Sequence, residues 1–132
     1  MKAFLMAVAL AAGLGASALA ATDPQPAAAP KQACFQARDW KGWKARDDKT
    51  MYLRVGLKDV YEVGFASGCR RMQDIGAQLI TVFHGGTNVC GPLDLDIKVT
   101  DSSGTPPVAC IASSVRKLSA AEAKAIPKKL QP

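Results

Sequence analysis

The segment AQLITVFHGGTNVCGPLDLDIKVT, Ala77 to Thr100, decides the fold. In its second half Leu93, Leu95, Ile97 and Val99 alternate with Asp94, Asp96, Lys98 and Thr100. A period of two puts the apolar residues on one face and the polar ones on the other, as in a half-buried strand. In the first half, Ala77–His84 is a β-branched and aromatic run, which reads as a strand buried on both faces. Gly85-Gly86-Thr87-Asn88 lies between, with two glycines free to take positive φ. The segment is therefore expected to form a hairpin whose second strand runs from Val89 to Thr100.

The same segment concentrates reactive side chains: His84, the chain's one histidine, with Cys90, Asp94 and Asp96. A Cys90–His84 nucleophilic pair needs a thiolate, and a cysteine held in a disulfide has none. His84, Asp94 and Asp96 are acceptable ligand types for a divalent cation. The alternation already explains both aspartates as the wet face of a strand, and the calcium-loop pattern D-x-D-x-D-G fails at Lys98 and Val99. Neither a metal site nor a catalytic residue is expected here. His84 is left as a polar residue beside the turn and a candidate ligand contact.

Working outward, Thr50–Leu57 alternates, with Met51, Leu53 and Val55 on one face. Asp59–Phe65 follows with Tyr61, Val63 and Phe65 sharing a face, so the two are expected to make a hairpin turning at Lys58-Asp59. Ala109–Leu118 is a last strand. Two short helices are expected. Ser119 and Glu122 form a capping box, preceded by Leu118 and stopped by Pro127. Asp39 is placed to cap a helix over WKGWKA, where Trp40 and Trp43, three apart, share a helical face. The expected fold is mainly β: a compact antiparallel curled sheet or small barrel of about five or six strands, with one or two short helices.

The 132-residue chain opens MKAFLMAVALAAGLGASALA. Lys2, the apolar run from Phe4 to Leu14 and the small residues around Ala18 and Ala20 read as a signal peptide over residues 1–20. The run is shorter than the roughly 20 residues of a spanning helix, which favours cleavage over anchoring. Residues 21–32 are a Pro/Ala-rich linker, and 33–132 form a single domain. Without Lys2 the formal charge of +6 falls to about +5, with basic ends around an acidic middle. That balance suits an envelope partner or an anionic polymer; with no dense basic run, nucleic acid is not expected.

Cys34, Cys69, Cys90 and Cys110 make an even set in a small exported domain, which reads as two disulfides. Their spacings of 35, 21 and 20 contain no CxxC, against zinc ribbons and thioredoxin-like chemistry. If the strands run up and down in sequence order, Cys69 and Cys110 fall at one end of the sheet. Cys90 falls at the other, joined by Cys34 if its segment pairs with the Thr50 strand. The expected bridges are Cys34–Cys90 and Cys69–Cys110.

Hydrolase signatures are missing. There is no G-x-S-x-G, and Asp47-Asp48 is better explained as a turn than as a glycosidase carboxylate pair. The best binding stretch is RDWKGWKARDDK, where Trp40 and Trp43 interleave with Lys41 and Lys44. Aromatic rings stack on ligands while lysines hold anions; the plainer alternative is that both tryptophans anchor their helix on the sheet.

Cys34-Phe35, Asp47-Asp48-Lys49-Thr50, Val60-Tyr61, Cys69, Cys90-Gly91-Pro92-Leu93-Asp94, Cys110 and Lys117-Leu118-Ser119 with Glu122 stand in this order along the chain. The pattern resembles a family of small four-cysteine bacterial exported proteins and lipoproteins with no assigned function. The resemblance covers nearly the whole mature domain, supplies no catalytic residues to carry over, and departs from lipoprotein members in lacking a lipid-acceptor cysteine; no cofactor is expected. The functional expectation is an exported cell-envelope binding or structural module, periplasmic or secreted, and not an enzyme. The alternative is an inhibitor of a secreted hydrolase such as a lysozyme or protease; an envelope enzyme using the aspartates ranks last. N-terminal sequencing of the exported protein is expected to begin at Ala21, and a mature chain that retains Met1 would overturn the cleavage assignment.

Overall fold

The computed structural model describes residues 33–84 and 86–132. The signal peptide and linker expected at 1–20 and 21–32 lie outside the described residues. The strands are β1 (Phe35–Gln36), β2 (Trp40–Ala45), β3 (Thr50–Val55), β4 (Asp59–Phe65), β5 (Gln78–Phe83), β6 (Asn88–Val89), β7 (Leu95–Thr100) and β8 (Val108–Lys117). One helix, α1 (Ala120–Ala125), follows β8. Six strands form one antiparallel sheet in the order β2-β3-β4-β8-β7-β5, and β1 pairs with β6 in a separate two-stranded ribbon. The large sheet curls into a half-barrel, the mainly β architecture expected from the sequence.

The predicted faces account for the core. Met51, Leu53 and Val55 of β3, Tyr61, Val63 and Phe65 of β4, and Leu95, Ile97 and Val99 of β7 all line the concave side and are buried. Burying one such side chain contributes about 1.5–3 kcal/mol relative to leaving it exposed. On the convex side Tyr52, Leu118 and Ile126 form a second, smaller cluster under α1. The Ser119–Glu122 capping box is made as expected: Glu122 N–H donates to Ser119 Oγ at 3.2 Å and Ser119 N–H donates to Glu122 Oε2 at 2.7 Å. The helix stops before Pro127, which cannot extend it.

Four local expectations are corrected. WKGWKA is a strand, not a helix, because an extra residue between Trp40 and Gly42 bulges β2 as it pairs with β3. A β-bulge shifts the alternation by one. Trp40 therefore stands opposite Val55, and Trp43 opposite Leu53, on the same concave face. Second, Ala77–His84 is not buried on both faces. β5 is an edge strand, and Ile80 and Val82 are 43% and 45% exposed on its convex side.

Third, Val89–Thr100 is not one strand. A 3-10 turn at Pro92–Asp94 divides β6 from β7 and leaves Leu93 89% exposed. Asp94 is not on a wet strand face either: its Oδ2 accepts the Cys90 and Gly91 N–H groups at 2.8 and 3.0 Å. Fourth, the strands are not in sequence order, since β4 pairs with β8.

Both expected disulfides are present, Cys34–Cys90 and Cys69–Cys110. The first arises differently from the topological argument. Cys34 leads into β1, which pairs with β6 rather than with the Thr50 strand, so Phe35 faces Val89 and the cysteines beside them meet. Cys69–Cys110 ties the turn after β4 to β8 inside the core. Closing such loops stabilises by about 2–4 kcal/mol each. Cys69 and Cys110 are buried, whereas Cys34 is exposed. Stepwise reduction followed by alkylation and peptide mapping is expected to label Cys34 and Cys90 first; earlier labelling of Cys69 and Cys110 would contradict the burial.

Two exposed carboxylates are held below the usual range. Glu122 is lowered from 4.5 to about 2, first by the Ser119 backbone N–H, then by the Arg116 guanidinium, whose Nη1 lies 2.7 Å away. Asp101 is lowered from 3.8 to about 2, first by the Ser103 hydroxyl, then by the Thr105 hydroxyl. Arg71 ties this loop to the turn after β4, with Nη1 2.7 Å from Thr105 Oγ1. Both folded values lie below the unfolded ones, so the stabilisation is present above the unfolded pKa and is lost as pH falls through the folded pKa. Glu122→Gln is expected to lower Tm at neutral pH, with the gap to wild type closing between 4.5 and about 2. A gap that persists at the acid end would mean that the ionised carboxylate is not the stabilising species.

Candidate ligand-binding seam

The half-barrel leaves its two edge strands, β2 and β5, facing each other. The Trp40 and Phe83 rings meet edge-on across the gap, with centroids 6.3 Å apart. Among the described residues no backbone hydrogen bond joins β2 to β5. The concave face is consequently sealed in the middle of the sheet and open along this seam. Leu53, Val63 and Ile97 are fully buried, whereas Trp40, Trp43 and Ala45 on one side and Ala77, Leu79 and Phe83 on the other are only partly so.

A cavity of about 300 Å³ sits in the seam, lined by Ala37, Trp40, Trp43, Leu79, Thr81 and Phe83. Trp40 spends its one polar atom on its own strand, since Nε1–H donates to Gly42 O at 3.1 Å. That bond fixes the ring at the bulge. Trp43 is shared with a second cavity of about 440 Å³, bordered by Lys44, Met72, Asp74 and Lys129. Lys41 and Lys44 are exposed on β2. The seam itself is lined by apolar and aromatic side chains with Thr81, and the neighbouring cavity that shares Trp43 is bordered by Lys44, Lys129 and Asp74. Such a surface takes apolar groups carried next to negative charge.

The structure brings together Trp40, Trp43 and Lys44 of the predicted binding residues, with Lys41 on the same strand. The tryptophans are both core anchors and cavity walls. His84 is not part of the seam wall. It lies exposed just past β5, where Nε2 is 4.0 Å from Asp96 Oδ2, and Lys98 Nζ is equally 4.0 Å from that oxygen. Among the described residues no group of three or more His, Cys, Asp or Glu is placed to hold a metal ion. Cys90 is in its disulfide, and Asp47 Oδ1 accepts the Lys49 N–H at 2.8 Å as a turn residue.

Leu79, Thr81 and Phe83 were missed by sequence reasoning. Their strand carries no charge, and such a run reads from sequence as burial on both faces. Lys129 was missed as well: it lies more than eighty residues from Trp43 in sequence, and nothing local points to the contact.

A small disulfide-stapled β half-barrel with an open aromatic seam and no metal-ligating cluster among its described residues is the class the geometry defines. The chain belongs to the family described as "Family of unknown function (DUF6491)", whose match covers residues 1–131. No curated protein and no solved structure matches it. Two disulfides fit an oxidising compartment. Among the described residues no helix is long and apolar enough to cross a membrane.

Proposed function

We propose that the protein is an exported, non-enzymatic binding module of a bacterial cell envelope, and that it binds through the β2–β5 seam. The observation that carries this reading is the row of core-facing side chains, Trp40, Trp43, Leu79 and Phe83, left partly open where the sheet fails to close. A fold built only for stability gains by burying these rings fully, at about 25 cal/mol per Å² of apolar surface. Lys41, Lys44 and Lys129 favour a ligand with negative charge beside its apolar part.

Anilinonaphthalene sulfonate, apolar and anionic, is the probe. The chain has two tryptophans, both in the seam, so dye binding is read by its own emission and by loss of tryptophan emission. Charge reversal by Lys41→Glu with Lys44→Glu is expected to weaken binding roughly fivefold while leaving Tm unchanged, since exposed charges are each worth a few tenths of a kcal/mol. Dye uptake that leaves tryptophan emission untouched, or that ignores both substitutions, would move the site elsewhere. Turnover of a cell-wall or peptide substrate, lost on replacing a single side chain, would overturn the non-enzymatic reading.

A second reading, inhibition of a secreted hydrolase such as a lysozyme or protease, draws support from three apolar side chains held out on turns: Leu57, Ile75 and Leu93. Leu57 lies beside Gly56, whose φ of 61° shapes the β3–β4 turn. Inhibition of such an enzyme that is lost in Leu57→Asp or Leu93→Asp, but kept in the lysine variants, would favour it over the seam.

A further inference from the structure

The main-chain groups at the seam narrow the ligand further. His84 N–H donates to Asp94 O at 3.0 Å, which makes His84 and Asp94 a hydrogen-bonded pair of the β5–β7 ladder. In a regular antiparallel ladder such pairs recur at every second residue, and the β5–β7 register runs without a shift. The N–H and C=O groups of Leu79, Thr81 and Phe83 therefore point away from β7, into the seam. On the opposite edge Arg46 N–H donates to Thr50 O at 2.9 Å. By the same rule the N–H and C=O groups of Trp43 and Ala45 also point away from β3, toward the seam. Two rows of backbone donors and acceptors thus border one apolar floor, and no other described element answers them.

The two edges also differ. β2 carries Lys41, Lys44, Gly42 and a bulge, features that discourage pairing at a sheet edge. β5 reads Gln-Leu-Ile-Thr-Val-Phe and has no charge, proline or glycine, so it is the edge made to pair.

We infer that the seam binds an extended polypeptide segment by strand addition to β5. This rests on the seam being the binding site and specifies the ligand. The bound segment runs antiparallel to β5. Its inward side chains, at every second position, are apolar and lie on Trp40, Trp43, Leu79 and Phe83. Its outward side chains lie on the face of Lys44, which stands opposite Tyr52 and borders the cavity beside Trp43, and are acidic; this charge complementarity selects the partner. Backbone hydrogen bonds supply affinity and alternate side chains supply specificity, as in other strand-addition complexes.

The test is selection of a displayed library of random nonapeptides on the purified protein, followed by synthesis of the enriched sequence in two forms. One form is unmodified; the other has alternate backbone nitrogens methylated, which removes donors and keeps every side chain. Enrichment of alternating apolar and acidic residues is expected. Methylation should weaken binding by about tenfold or more, the equivalent of a single lost hydrogen bond or several. Thr81→Pro should do the same, because it deletes a seam-facing N–H that β7 does not use, and an edge strand tolerates proline there; circular dichroism and Tm verify its fold.

Equal binding of both peptide forms would overturn strand addition while leaving the seam as a site. So would failure to enrich any peptide on a protein that still takes up anilinonaphthalene sulfonate at the tryptophans. Failure of the dye as well would remove the seam reading itself.

Discussion

A curled sheet buries its concave face only as far as its two edges approach each other. Here β2 and β5 come close enough for Trp40 and Phe83 to touch but exchange no backbone hydrogen bonds. Every other property of the concave side follows from that spacing. The central strands bury their apolar residues completely because neighbours flank them on both sides. The edge strands cannot, and the Trp40 indole reaches Phe83 across the remaining gap. The tryptophans are therefore core anchors and cavity walls at once: a ring at an unclosed seam packs on the core with one side and forms the wall of a cavity with the other.

The curl is held from outside as well as from within. Under α1 the convex face of β3 and β4 is covered by Leu118, Ile126 and Tyr52. Across the helix start, Arg116 bridges Glu62 and Glu122 at 3.1 and 2.7 Å. These exposed pairs contribute little individually, so their role is chiefly to orient the helix that does the covering. The two disulfides act at the loops rather than in the strands. One joins the β1–β6 ribbon and the other ties the turn after β4 to β8, so neither spans the seam, and the gap between the edges is left to side chains.

The strands that alternate cleanly were legible in the sequence. Met51-Leu53-Val55, Tyr61-Val63-Phe65 and Leu95-Ile97-Val99 all face the core as their period of two requires, and the Ser119–Glu122 box starts its helix where expected. Two of the misreadings share a cause: a single residue or turn that changes the phase of the pattern. Trp40 and Trp43 are three apart, a helical spacing, yet a bulge at Lys41 gives the same separation on one face of a strand. Leu93 is in phase with Leu95 by sequence, but Asp94 accepts two N–H groups and tightens Cys90–Asp94 into a turn, which turns Leu93 out to solvent. β5 carries no phase signal, because an uncharged run reads the same whether it is central or at an edge. Trp40 and Trp43 thus stand out in the sequence for their chemistry and do line a cavity, while the element carrying them is a strand and not the expected helix. The opposite wall of the seam was not found, because which strand lies at an edge is a property of the whole sheet.

An uncharged edge strand is ordinarily a hazard, since it templates pairing with any other exposed edge. The seam resolves this without guarding β5 by charge. Its outward backbone groups at Leu79, Thr81 and Phe83 face Trp40 and Trp43 rather than open solvent, so another folded sheet must displace β2 to reach them. A single extended segment needs about 5 Å of room beside β5 for its hydrogen bonds, and to enter it has only to displace the Trp40–Phe83 contact. The contact that guards β5 against edge-to-edge association is therefore the same one that the strand addition we propose has to open, and the bulge that places Trp40 helps to set it.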